Sequence, residues 1–199
     1  MGGCPEIAKG PALLFALAFF RCGRFAAVAD GFWSIRAATA DDSAFMADML
    51  VEAFNWSPER NKQSRSRVLS ARKTAHYIAG WPRDTDLGVI AEADGERIGA
   101  AWLRFLPAAD PGYGFVAADV PELTIGVALE WRGRRVGRAL LRAVAQHALS
   151  AGIRQISLSV ERKNFAQKLY LSEGYQIVDG SDRDSDTMVK DLVPCVGCA

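Results

Sequence analysis

An arginine- and glycine-rich turn stands between an apolar segment and an amphipathic one. Four arginines fall within seven residues, Arg132 to Arg138, and Gly133 and Gly137 lie among them. Backbone N–H groups in the first turn of a helix have no partner inside the helix and lie at the positive end of its dipole. Glycine lets the backbone approach a phosphate closely. The turn therefore predicts a site for a ligand that carries a pyrophosphate group.

The turn has two alternative interpretations, a solvated basic face and a nucleic-acid site. Arginines alone are more typical of a solvated basic face. Glycine in the first turn of a helix costs about 1 kcal/mol relative to alanine, however, which favours a ligand site over a plain surface. Nucleic acid is another anion, but the net charge is only +1 and no recognition-helix, RRM or zinc pattern accompanies the arginines. We expect no nucleic-acid partner.

The elements around the turn follow the order strand, loop, helix, strand. Apolar periodicity predicts a helix at 133–150 whose core stripe is Leu140, Leu141, Val144, Ala145 and Ala148. The other predicted elements of this half are strands at 122–129, 155–161, 175–178 and 187–190, and a helix at 164–173.

The first half supplies the rest of one domain. A strand is predicted at 33–36, followed by a helix whose core face holds Phe45, Met46, Met49, Leu50 and Ala53. Residues 88–93 and 97–105 predict a hairpin around Asp94-Gly95-Glu96. A weaker helix is expected within 58–80, and a loop at 107–121.

The segment 122–178 resembles the acetyl-CoA-binding core of the GNAT superfamily of N-acetyltransferases. The family marker is Gln or Arg, two residues, Gly, one residue, then Gly or Ala, before a helix. Arg132, Arg135 and Gly137 take these positions here, with Arg135 where the family usually has its first glycine. A register shifted to 134–139 also fits the formula. The resemblance covers about residues 32–193 and includes the strand at Trp33, the helix at Asn164 and the turn at Gly174.

The resemblance implies an α/β fold of three layers, with a central twisted mixed sheet, helices on both faces, and fourth and fifth strands that splay apart. It implies acetyl-CoA as the acyl donor and an amine as the acceptor, whose identity the sequence leaves open. It assigns the thioester and its pantetheine arm to Ile125, Gly126 and Val127, with Asn164 contacting the arm or ordering its pocket. It assigns the pyrophosphate to the turn residues Arg132, Gly133, Arg134, Arg135, Val136, Gly137 and Arg138.

Acylation of an amine needs a base for the nucleophile and an acid for the departing thiolate. Glu122 opens the fourth strand and is the candidate base, with an ordinary strand-end carboxylate as the alternative. The resemblance places Tyr170 as the acid, and the alternative is a packing residue. Weaker candidates are Asp110, Asp119, His76 and His147, the last expected to be a partly exposed surface histidine.

No metal is expected, and no cysteine nucleophile, because the four cysteines lie outside the matched core. Residues 1–31 are predicted to be a loosely ordered extension, with a processed secretory signal as the alternative, and 194–199 a tail. The apolar run 11–20 is too short to span a bilayer, so no membrane partner is expected. We expect a cytoplasmic monomer or homodimer. A CoA-binding regulatory module without turnover is the alternative function.

Overall fold

The computed structural model describes residues 24–25, 33–179 and 184–193. In chain order the elements are β1 (Arg24–Phe25), β2 (Ser34–Ala37), α1 (Ser43–Phe54), α2 (Arg65–Ser70), α3 (Arg72–Ala75), β3 (Leu87–Ala93), β4 (Glu96–Arg104), β5 (Glu122–Val127), α4 (Val136–Ser150), β6 (Gln155–Glu161), α5 (Ala166–Ser172), β7 (Gln176–Asp179) and β8 (Ser185–Asp191). Short 3-10 helices cover Ala40–Asp42 and Leu129–Trp131.

The strands form one mixed sheet in the order β1-β2-β3-β4-β5-β6-β8-β7. The pair β5 and β6 is parallel, and the other neighbouring strands run antiparallel. Helix α4 connects the parallel pair, as a crossover between parallel strands requires.

Helices cover both faces of the sheet because neighbouring strand residues point to opposite sides. Val89 packs with Leu140 of α4 in the core on one face. Ile90, the next residue, packs with Met46 of α1 and with Trp102 in the core on the other face. The predicted three-layer α/β architecture with a mixed sheet is therefore confirmed, as is the core stripe of α4, whose five residues are all buried.

Two helices differ from their predicted bounds. Helix α4 begins at Val136 rather than at residue 133, because Arg135 adopts a left-handed conformation with φ of 64°. The weak helix expected within 58–80 is two short helices, α2 and α3, separated by Ala71 in an extended conformation. Ser64 caps α2 by accepting a hydrogen bond from the Arg67 N–H at 3.2 Å.

His147 corrects another expectation. The side chain lies on α4, but it is buried, with 9% of its surface exposed, rather than on the surface. Burial lowers the pKa of its imidazole and favours the neutral form. The residue completes the buried side of the helix.

The predictions for the two ends of the chain lie largely outside the described residues. The exception is β1, where Arg24 pairs with Arg36 and Phe25 with Ile35 at the edge of the sheet. Among the described residues, no helix is both long enough and apolar enough to cross a membrane.

Strands β5 and β6 splay apart, as predicted for the fourth and fifth strands counted from β2. They share one bridged pair, Glu122 with Ser157. By contrast, β4 pairs with β5 from Glu122 to Val127, and β6 pairs with β8 along its whole length. Beyond the bridged pair a gap opens in the middle of the sheet, and this gap positions the site.

Candidate active site

A cavity of about 680 Å³ occupies the gap between β5 and β6. Most of the residues singled out in the sequence line it: Glu122, Ile125, Gly126, Val127, Arg132, Gly133, Arg135, Gly137, Arg138, Asn164 and Tyr170. Arg134 and Val136 are not among the lining residues. The fold thus brings the turn, the strand and the two acid-base candidates together around one space.

The strand side of the cavity presents backbone groups. The N–H of Ala128 donates to the carbonyl of Ile98 at 2.9 Å, so Ala128 and Gly126 face β4. Backbone groups alternate along an antiparallel pair, and Ile125 and Val127 therefore turn their N–H and C=O groups into the gap. Here an extended ligand can form hydrogen bonds as a strand would.

Gly126 sets how closely α1 packs against β5. A Cβ at this position would overlap the backbone carbonyl of Met49 in α1. Only glycine fits without a shift of the helix. The close approach brings the end of α1, with Glu52 and Phe54, to the rim of the cavity.

Other groups of the protein contact most of the arginines in the turn after β5. Arg132 donates to the Val127 carbonyl at 3.1 Å and to Glu52 at 2.9 Å. Arg134 stacks on the Trp131 ring, 5.1 Å from its centroid. These contacts order the turn, and they leave Arg134 beside the cavity rather than in it.

The side chains at the beginning of α4 differ in their contacts and in their exposure to solvent. Arg138 pairs with Glu173, which also binds Arg142. Val136 is buried in the core, so its side chain is a packing group. Arg135 is exposed and reaches the cavity rim from a left-handed backbone. Of the three predicted phosphate-binding arginines that line the cavity, Arg132 and Arg138 are ion-paired, and Arg135 has no ion pair in the described part of the chain.

Glu122 is a buried carboxylate whose two oxygens differ in their hydrogen bonds. The side chain is 4% exposed, and its Oε1 accepts from the Tyr77 hydroxyl at 2.6 Å and from the Gly114 N–H at 2.8 Å. Its Oε2 is buried with no partner among the described residues. Burial raises the pKa of Glu122 to about 7, although both hydrogen bonds act in the opposite direction. This is the range that suits a general base.

Tyr77 is a site residue that the sequence did not reveal. Besides donating to Glu122, its hydroxyl accepts a hydrogen bond from the Tyr113 N–H at 2.7 Å. Burial raises the pKa of the phenol, so it stays protonated. The two residues Tyr77 and Glu122 are 45 positions apart, and no local pattern joins them. The hydrogen bond from Tyr77 to Oε1 fixes the orientation of the Glu122 carboxylate.

On the opposite wall, Asn164 lies just before α5 and Tyr170 lies within this helix. Tyr170 is 8% exposed, packs edge to face on Tyr175 at 5.7 Å, and has its pKa raised by burial. Asn164 accepts a hydrogen bond from the Ala166 N–H at 2.9 Å, which orders the start of the helix. Phe165, between Asn164 and α5, is 66% exposed and lines the cavity.

The weaker acid-base candidates lie elsewhere. His76 and Asp110 form a pair through Nδ1 and Oδ2 at 3.1 Å, and Arg72 contacts Asp110 at 3.3 Å. Neither these residues nor Asp119 and His147 line the cavity. The described residues contain no cluster suited to a metal ion.

The sequence matches the model of the Acetyltransferase (GNAT) family over residues 47–175, which includes most of α1 and all of β5, the turn, α4 and α5. This chain belongs to the GNAT acetyltransferase family. Members use acetyl-CoA as the acyl donor, and the cavity along β5 with its arginine turn is where that donor would lie.

Among curated relatives, the mycothiol acetyltransferase of Corynebacterium efficiens is 30% identical over 114 residues, which are 57% of this chain and 33% of that protein. The mycothiol acetyltransferase of Corynebacterium glutamicum strain R is 32% identical over 117 residues, 57% of this chain and 34% of that protein. The chain thus spans about a third of the length of these relatives.

Solved structures share the fold. PaiA N-acetyltransferase from Thermoplasma acidophilum, in complex with coenzyme A, superposes with a TM-score of 0.60 at 21% identity, covering 80% of this chain and 98% of that one. The GNAT domain of S. lividans PAT superposes with a TM-score of 0.60 at 22% identity, and the match covers 80% of this chain and 90% of that one. The GNAT fold class is confirmed.

Arg135→Gly tests the left-handed position in this GNAT turn. A non-glycine residue with this backbone is strained by about 1–2 kcal/mol, so we expect the glycine variant to melt at a higher temperature. We also expect its Kd for acetyl-CoA to rise about threefold, because one exposed cation beside the phosphates is lost. Scanning calorimetry and titration calorimetry measure the two effects.

Arg134→Gly is the matched control, because Arg134 is not one of the residues with positive φ. The Arg135→Gly substitution should raise the melting temperature of the protein, and Arg134→Gly should not. Tighter acetyl-CoA binding by Arg135→Gly would mean that the arginine crowds the phosphates, contrary to our interpretation.

Proposed function

We propose that this chain transfers an acetyl group from acetyl-CoA to an amine by direct attack, without an acyl-enzyme. The observation that carries the proposal is the buried carboxylate of Glu122 at one end of β5, in the same cavity as the arginine turn at the other end. A base with a pKa near 7 and a separate anion site are what this reaction requires.

Each residue has a defined part in the proposed reaction. Glu122 Oε2 removes a proton from the acceptor ammonium, directly or through one water, which frees the nitrogen lone pair. The new C–N bond forms at the thioester carbonyl, whose developing oxyanion is stabilised by the N–H of Val127. Glu122 passes its first proton to solvent and takes the second amine proton as the tetrahedral intermediate collapses. The C–S bond breaks, the thiolate takes a proton from Tyr170, and the Tyr170 phenolate regains a proton from solvent.

Tyr170→Phe keeps the ring and removes the hydroxyl. Burial raises the pKa of Tyr170, so the phenol remains a donor at neutral pH, although it releases its proton less readily than an exposed tyrosine would. We expect kcat to fall about tenfold with acetyl-CoA affinity and melting temperature nearly unchanged, as for a group that acts mainly in the transition state.

Steady-state kinetics with a thiol-release readout measures the effect. Tyr175→Phe is the control, since Tyr175 packs on Tyr170 but does not line the cavity. If the two variants turn over equally fast, the thiolate is protonated by solvent or by another group, and Tyr170 is a packing residue.

Tyr77→Phe tests the group that orients Glu122. The hydrogen bond from Tyr77 lowers the pKa of Glu122, so its loss should move that pKa above 7. Because the base works as a carboxylate, the rising limb of the kcat/KM profile should shift to higher pH. A change in the height of the profile with no shift along the pH axis would show that Tyr77 has only a packing role.

The alternative function is a CoA-binding regulatory module that lacks turnover. The two functions are distinguished by incubating the protein with acetyl-CoA and a panel of amines. Both the free thiol and the mass of the acetylated product are followed. Thiol release that depends on the amine, with a product heavier by one acetyl group, supports the proposal. Tight acetyl-CoA binding without either signal supports the regulatory alternative.

We also propose that the chain acts in the cytoplasm, where acetyl-CoA is available, as a monomer or a homodimer. The proposed location rests on the acetyl-CoA donor that this family uses. Cell fractionation and light scattering of the purified protein test the two parts.

A further inference from the structure

The end of the cavity that holds Glu122 has an aromatic wall. Tyr77 and Tyr113 stack with ring centroids 6.5 Å apart and planes 9° apart, and Phe54 meets Tyr113 edge to face at 6.3 Å. Trp56, two residues after Phe54, also lines the cavity. The wall is continuous with the carboxylate, because the Tyr77 hydroxyl donates to Glu122.

Charge is distributed unevenly along the cavity. Within the described parts of the chain, the cations that line it are Arg132, Arg135 and Arg138, which lie in the turn after β5 and in the first turn of α4. The strand has six residues, so Glu122 at its start lies about 16 Å from its far end, where that turn begins. Near the aromatic wall the lining carboxylate is Glu122. A ligand group bound at this end of the cavity contacts aromatic rings and the Glu122 carboxylate, and no cationic side chain among the described residues lines the cavity beside it.

We propose that the acceptor is a primary amine borne on an aromatic or similarly apolar group, with no carboxylate next to the amine. This rests on the proposed acetyl transfer. Ring faces attract an ammonium ion before it is deprotonated, and they cover an apolar carrier. A carboxylate beside the amine would instead lie near Glu122 with no cation to neutralise it.

Three amines test the inference with one change at a time. 2-Phenylethylamine carries the ring and no carboxylate, phenylalanine adds the carboxylate, and ethylamine removes the ring. We expect kcat/KM for 2-phenylethylamine to exceed each of the other two by at least about tenfold, because a ring is buried and a like charge is avoided. Equal or higher values for phenylalanine or ethylamine would overturn the inference.

The variant Tyr113→Ala tests whether the aromatic wall causes the preference for 2-phenylethylamine. Tyr113→Ala removes a ring that is 44% exposed and keeps the backbone N–H that binds Tyr77. The ratio of kcat/KM for 2-phenylethylamine to that for ethylamine should fall by at least about threefold, with acetyl-CoA affinity unchanged. Val116→Ala is the control, because Val116 is exposed on the same loop and does not line the cavity. An unchanged ratio in Tyr113→Ala would contradict the assignment.

Calorimetric titration of the amines into the protein saturated with CoA separates this inference from the proposed reaction. If 2-phenylethylamine binds in preference to the other two and is not acetylated, the aromatic wall selects the predicted class of amine and the proposed function fails. If other amines are acetylated and 2-phenylethylamine neither binds nor reacts, the function holds and the inference fails. Absence of 2-phenylethylamine binding under all conditions also overturns the inference.

Discussion

Replacing Glu122 by glutamine is expected to lower kcat about 100-fold, the effect of removing a positioned general base. Glutamine has the same shape and can still accept hydrogen bonds from Tyr77 and the Gly114 N–H through its carbonyl oxygen. The site should therefore keep its structure, and acetyl-CoA affinity should change little. Steady-state kinetics and titration calorimetry measure the two quantities.

The pH dependence makes this prediction sharper. In the native enzyme, kcat/KM should rise through about pH 7 as Glu122 becomes a carboxylate, and the variant should lose that limb. Glu161→Gln is the control, since Glu161 also lines the cavity and pairs at its rim with Arg60 at 2.6 Å. Its kcat should stay within about twofold of the native value. A Glu122→Gln enzyme with normal kcat would reduce Glu122 to an ordinary strand-end carboxylate.

Glu122 also predicts a stability difference with a definite sign. Its pKa in the folded protein, about 7, lies above its ordinary value of 4.5, so the unfolded chain releases this proton first as the pH rises. The folded state therefore loses stability between those two pH values, and glutamine removes the loss. The melting temperature of Glu122→Gln relative to the native protein should rise across this interval.

Gly137→Asp is expected to raise the Kd for acetyl-CoA about 100-fold, or about 2.8 kcal/mol. Gly137 lines the cavity in the first turn of α4, where the free N–H groups favour an anion. The aspartate carboxylate would occupy that anion position itself and repel the phosphates. Titration calorimetry measures the affinity.

The fold should tolerate this substitution. A Cβ at Gly137 would lie 3.6 Å from Leu169 Cδ2 and 3.8 Å from Val127 Cγ2, which are ordinary contacts. An acidic residue in the first turn of a helix stabilises it by about 0.3–1 kcal/mol, so the melting temperature should not fall. Gly137→Ala is the control: it should bind acetyl-CoA far better than the aspartate variant. Equal affinities in the two variants would place the phosphates elsewhere.

The sequence was sufficient for the elements whose apolar residues repeat regularly. The stripe of α4 and the alternation in β6 predicted their type and nearly their bounds, because burial of one face dictates that spacing. The start of α4 was displaced by three residues. A left-handed arginine at position 135 breaks the helix there, and arginine carries no sequence signal for that conformation.

The site was predictable where it is local in sequence and not where it depends on distant pairs. The turn residues and β5 are contiguous, so one motif indicated them together. Tyr77 meets Glu122 across 45 positions, and Glu52 meets Arg132 across 80. Such pairs follow from how α1 and the segment after α3 pack on the sheet. The burial that raises the pKa of Glu122 has the same origin, and no pattern near Glu122 encodes it.

The single bridged pair between β5 and β6 also bears on aggregation. Unpaired strand groups at the border of a sheet are a template for another polypeptide, and proteins usually protect them. Here the unpaired groups of β5 face an internal gap, with β6 on the far side and the Glu122–Ser157 bridge closing one end. Because these groups lie inside the sheet rather than at its outer edge, the protein can offer main-chain pairing to a narrow ligand with less hazard of intermolecular strand addition than an exposed edge strand carries.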